Sequence, residues 1–143
     1  MPSALRNKLI RVLVGFFPLC LVAHAQCPVD TVIVKGRVEH PIANDYRVRV
    51  ALVYPKHKPG ESGEVTVEDA SFKIPVEYVT EQSSLFTNLP KRCGRKPQTV
   101  VITLLNGDQK SDEVSLDFPR SFRMVDASAY TLRSELVLNG SSQ

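Results

Sequence analysis

The chain is poor in the residues and spacings that carry chemistry. Histidine occurs three times in 143 residues, at His24, His40 and His57. No Cys-x-x-Cys pair or Cys/His cluster gathers the ligands that a structural zinc needs. No Gly-x-Ser-x-Gly elbow occurs, which removes the usual signature of a hydrolase serine. Apolar residues nowhere keep a helical period over ten residues, and no internal repeat or low-complexity tract is present. The apolar run from Val12 to Val22 is shorter than the ~20 residues of a membrane-spanning helix. These absences argue against a zinc module, a serine hydrolase of that type and a helical bundle.

What is present begins with an export signal. Arg6, Lys8 and Arg11 precede the apolar run, Gly15 and Pro18 interrupt it, and Ala23-His24-Ala25 closes it. Small-x-small is the pattern that a signal peptidase reads, so residues 1–25 are expected to be a secretory signal peptide, with Gln26 first in the mature chain. Gln26 before Cys27 is not the small residue of a lipoprotein signal. Cys20 leaves with the peptide, and no transmembrane anchor is expected to remain. The formal charge of +3 leaves too, because 15 Lys+Arg then stand against 15 Asp+Glu. A globally basic nucleic-acid binder is therefore not supported. One dense basic cluster survives, Lys91, Arg92, Arg95 and Lys96, which is either a solvated loop or a surface for an anionic partner.

The remaining stretch, 26–143, is one domain's worth of chain. Its two cysteines, Cys27 and Cys93, would enter an oxidising compartment, where an even pair reads as a disulfide. Such a bond closes a loop of roughly 67 residues and stabilises by about 4 kcal/mol in the chain-entropy picture.

Strands account for most of this domain. Val32, Val34, Gly36 and Val38 alternate with Lys35, Arg37 and Glu39, and Val48, Val50, Leu52 and Tyr54 alternate with Arg47, Arg49 and Ala51. Pro55 to Gly60 is expected to be a loop, and Gly63–Glu68 and Ser71–Val79 a hairpin through Asp69-Ala70. Pro75 places the latter strand at an edge or bulge. Residues 80–97 have no period and form a long connection. Thr99 to Leu105 is apolar on both faces and is expected to be central and covered on both sides. Asn106-Gly107 signals a tight turn into Glu113–Phe118, and Tyr130 to Leu138 is a last strand before a flexible tail starting at Asn139. About seven short strands with regular turns imply an all-β fold, an antiparallel sandwich of immunoglobulin or transthyretin type; a small closed barrel is the alternative.

Gly36-Arg37-Val38, the Arg47–Val53 strand and Val67-Glu68-Asp69-Ala70-Ser71-Phe72-Lys73-Ile74 resemble the opening strands of transthyretin-like and carboxypeptidase regulatory-like domains. That pattern has a turn glycine where this chain has Ala70. With the leader and the cysteine pair, the chain is also similar in style to small secreted proteins of filamentous fungi, many of which act on hosts. Activities on related folds do not carry over by motif. The purine-pathway hydrolase ends in Tyr-Arg-Gly-Ser, whereas this chain ends Asn-Gly-Ser-Ser-Gln. The intradiol dioxygenases use two tyrosines and two histidines around iron; here Tyr54 and Tyr78 fall on inward strand positions, where packing is favoured.

The functional expectation is a secreted, non-enzymatic binding or effector-like protein, without metal or cofactor, that meets an extracellular protein or polysaccharide of negative charge. The alternative is a small secreted enzyme or a copper protein. Cleavage after Ala23 would expose His24 as an amino-terminal copper ligand, with His40 or His57 completing the site. Asn139-Gly140-Ser141 is a glycosylation sequon if the source is eukaryotic. Intact mass of the exported protein should show loss of residues 1–25, no free thiol and, where Asn139 is used, a glycosidase-sensitive increment. Two alkylatable cysteines in native protein would contradict the pairing.

Overall fold

Alternation sets the strands, and facing them sets the core. The computed structural model describes residues 27–41, 45–80 and 93–141. The leader, His24, Lys91 and Arg92 lie outside them. Among the described residues nine strands run in the order β1 (Val29–Glu39), β2 (Tyr46–Tyr54), β3 (Lys58–Thr66), β4 (Ser71–Val79), β5 (Thr99–Asn106), β6 (Gln109–Asp117), β7 (Phe122–Asp126), β8 (Ala129–Leu132) and β9 (Leu136–Asn139). One sheet has the order β4-β1-β8-β7 with β9 also on β1, and the other has β3-β2-β5-β6. Val32, Val34, Val48, Val50, Leu52, Val100, Ile102 and Leu104 meet between them with no exposure. Each such side chain contributes ~1.5–3 kcal/mol by leaving water. The expected all-β sandwich is thus present. β1 and β2 lie in different sheets, unlike the paired first two strands of an immunoglobulin domain.

β1 is the hub of the five-stranded sheet. It pairs antiparallel with β4 from Val29↔Val79 to Arg37↔Ser71, and on its other side in parallel with β8 and then β9. The expected single strand from Tyr130 to Leu138 is therefore two. From Thr131 to Leu136 the chain advances five residues while β1 advances three, from Ile33 to Gly36. The two extra residues form a bulge, and because their number is even, Tyr130, Leu132, Leu136 and Leu138 all stay on the core face. Arg133 fastens the detour, its backbone N–H donating to the Ser121 carbonyl (3.0 Å) and its Nε to the Arg120 carbonyl (3.0 Å). Gly36 makes room where β9 lands, since a Cβ there would meet the Leu136 carbonyl oxygen and the Phe72 ring.

Other expectations change in detail. Pro55 to Gly60 is not a loop: Pro55–His57 is a tight turn and β3 starts at Lys58, pairing Lys58 with Tyr54 and Pro59 with Val53. Pro59 is tolerated because β3 is an edge strand, which leaves one side of its backbone without a ladder partner. Pro75 lies in β4, at the edge of the other sheet, as expected. The Asp69-Ala70 turn is present, but β3 and β4 belong to different sheets, and only Glu68↔Ser71 pairs across it. β5 is central, yet its outer residues Thr99, Val101 and Thr103 are half-buried rather than covered. A cross-strand ladder occupies that surface: Glu64 pairs with Arg47 (2.8 Å) and Arg49 (2.9 Å), and the Thr103 hydroxyl donates to Glu113 (3.1 Å). The tail expected from Asn139 onward is tied down at Gly140. Gly140 is buried, its N–H donating to the Glu39 carbonyl (2.8 Å) while its own carbonyl accepts from the Tyr46 hydroxyl (2.5 Å).

Asp69 and Ala70 hold φ of 48° and 58°, the left-handed region that a Cβ disfavours. Ala70→Gly should therefore stabilise the protein by about 0.5–1 kcal/mol in urea unfolding. A loss of similar size would contradict this account of the turn.

Candidate functional site

The Cys27–Cys93 bond, with Cα atoms 5.2 Å apart, lies at the end of the sandwich where β1 begins. Around it the chain is sewn together by backbone hydrogen bonds. The Thr80 N–H donates to the Pro28 carbonyl (3.0 Å), Gln98 N–H to the Val53 carbonyl (2.8 Å) and Phe118 N–H to the Gln98 carbonyl (2.9 Å). Gly94 passes so close to β4 that a Cβ would collide with the Val79 carbonyl. The start of β1, the end of β4, the start of β5 and the end of β6 are thus held as one platform. Arg95 and Lys96 leave it exposed, between half-buried Cys93 and buried Pro97. Of the basic cluster read from the sequence, these two are placed beside the disulfide; Lys91 and Arg92 are outside the described residues.

Beneath them is an aromatic floor. Phe118 packs against Tyr78 (centroids 6.1 Å apart), Phe122 (5.4 Å) and Tyr130 (5.0 Å), two of the three contacts edge-on. Lys96 Nζ lies 5.8 Å from the Phe118 ring centroid, within cation–π range. The Tyr78 hydroxyl donates to Asp30 Oδ2 at 3.3 Å. Burial first, and then the Asp30 charge, push both Tyr78 and Tyr130 above the ordinary phenol value. Phenols held protonated in this way donate hydrogen bonds and are poor bases or metal ligands. Asp30 and Phe118 were not singled out from the sequence as parts of a site. Phe118 stands in the sequence only as the last residue of an expected strand, and an aspartate leading into an alternating strand carries no signal of its own.

The other singled-out residues are scattered. His40 follows β1, whereas His57 lies in the turn after β2, so the nine residues of β2 separate them by roughly 30 Å. The tyrosines are committed separately: Tyr46 to Gly140, Tyr54 to Glu61 (2.6 Å) and Tyr78 to Asp30. Among the described residues no three His, Cys, Asp or Glu side chains gather to hold a metal, and no helix is long and apolar enough to cross a membrane. Asn139 is exposed at the end of β9, and its Oδ1 accepts from both the Ser141 N–H (2.9 Å) and hydroxyl (2.6 Å). No family model, curated protein or solved structure matches the chain.

Tyr54 is also pushed up, first by burial and then by its hydrogen bond to Glu61 and the charge on that group. A folded-state pKa above the unfolded value means that the folded chain keeps its protons longer. This contribution is fully present below about pH 10 and is lost as pH rises through the folded values. Urea midpoints should fall from about pH 10 upward, with part of the 295 nm phenolate signal appearing only on unfolding. Titration of Tyr54, Tyr78 and Tyr130 with the midpoint of an ordinary phenol, near pH 10, in a chain that stays folded would contradict the burial argument.

Proposed function

We propose that the exported chain is a non-enzymatic binding module, effector-like in its use, that meets an extracellular protein or polysaccharide of negative charge through its disulfide-anchored end. The observation that carries this reading is the fastening of Cys93 to Cys27, with exposed Arg95 and Lys96 immediately after it. Anchoring lowers the entropy still to be lost when neighbouring residues order against a partner. Loops at the end of a rigid sandwich are natural recognition elements. The edges on one side are less suited, because Pro59 in β3 and Pro75 in β4 blunt strand addition there. Lys96 holds its ammonium over the Phe118 ring and is still exposed, so an anion can reach it at the edge of the aromatic floor.

The test is a pull-down from extracellular fluid with the parent chain and with Lys91, Arg92, Arg95 and Lys96 all changed to Ser. Stability should move by no more than about 1 kcal/mol, the worth of an exposed cation–π contact such as that of Lys96. Partner capture should fall, and capture by the parent should weaken as salt rises. Equal, salt-insensitive capture by both would overturn the reading.

A further inference from the structure

A separate cationic surface lies on the outer face of the five-stranded sheet, toward the other end of β1. Between Ile33, which pairs with Thr131, and Gly36, which pairs with Leu136, Val34 and Lys35 have no ladder partner on the β8–β9 side. The detour at Arg133–Glu135 opens a groove of ≈ 950 Å³ there, lined among others by Lys35, Lys73, Arg123 and Arg133. We propose that this groove binds a linear polyanionic glycan, a sugar chain bearing repeated carboxylate or sulfate groups.

Charge is the first reason. Glu39 and Glu135, two of the three carboxylates in the lining, are both engaged by Arg37, at 3.0 and 3.5 Å. The lining as a whole holds five cations, Lys35, Arg37, Lys73, Arg123 and Arg133, against three carboxylates, a net charge of +2, and neither Lys35, Lys73 nor Arg123 has an ion-pair partner among the described residues. Lys35 and Lys73 stand directly opposite one another across the β1–β4 ladder, both exposed. Like charges in that position repel and destabilise the pair unless an anion lies between them.

Extent is the second reason. Lys73 is on β4, Lys35 on β1, Arg133 follows β8 and Arg123 is on β7, so the cations cross four adjacent strands. At ~4.8 Å per strand this spans roughly 14 Å, too far for one small anion and suited to a polymer with charge on successive units. The large apolar residues of the lining, Val38, Phe72 and Leu132, are buried under the face, at 3, 6 and 6 % exposure. The groove therefore presents neither the exposed aromatic anchor of a protein interface nor a ring on which bases could stack. Ser134, exposed at the detour, adds a hydroxyl for sugar oxygens.

The test measures binding of polygalacturonate to the exported chain, with neutral dextran, polyglutamate and single-stranded DNA as competitors. Replacing Lys35, Lys73 and Arg123 together by Ser should weaken polygalacturonate binding by about tenfold, the sum of three exposed charge contacts. An Arg95→Ser/Lys96→Ser variant should bind as the parent does, which separates this groove from the disulfide end. Lys73→Glu should raise Tm by about 2 °C by removing the Lys35–Lys73 repulsion, and still lose binding, so that lost affinity is not lost folding. Parent-like affinity of the triple variant would overturn the proposal. So would dextran, polyglutamate or DNA competing as well as polygalacturonate, or a Lys73→Glu chain less stable than the parent.

Discussion

One strand holds half of the molecule together. Among the described residues β4 reaches the rest of its sheet only through β1, and the β7–β8 hairpin and β9 reach β4 only through β1. The second of these attachments is parallel and joins residues as far apart as Gly36 and Leu136, so no hairpin can make it locally. Such pairing costs loop-closure entropy before any contact offsets it. Cys27, just ahead of β1, is bonded to Cys93, which limits the freedom of that strand in the unfolded chain.

The same attachment produces the groove. The end of the chain can pair with β1 both at Thr31–Ile33 and at Gly36–Glu39 only by shedding two residues within Arg133–Glu135. An even insertion preserves the core below while opening the surface above. Gly36 then permits close approach of β9, and Lys35, one residue earlier on the opposite face, is left beside the opening. A packing solution inside the sheet and a cationic surface outside it are two faces of one irregularity.

Much of the fold was legible because period-two alternation reports burial directly. The strand cores around Val32, Val50 and Ile74 are where alternation puts them, and Gly107, with φ of 60°, occupies the turn between β5 and β6. The split of the last strand was hidden by its own parity: Leu132 and Leu136 remain in phase, so the sequence looks continuous. Pro59 and Gly60 suggested a loop because proline's missing donor matters only where a partner strand needs it, and edge position is a tertiary property. The basic cluster at 91–96 was visible because its charges are adjacent in the chain. Lys35, Lys73 and Arg123 are dispersed over most of the domain, and only strand register brings them to one face.

Residue-resolved native-state hydrogen exchange tests most directly whether the closure of β8 and β9 on β1 holds the sheet together. The ladder amides of β1, β8 and β9 should exchange together, through an opening close to global unfolding, while those of the edge strands β3 and β7 exchange sooner. β8 and β9 exchanging as fast as β7 while β1 and β4 stay protected would contradict it, and would show that the five-stranded sheet stands without its parallel closure.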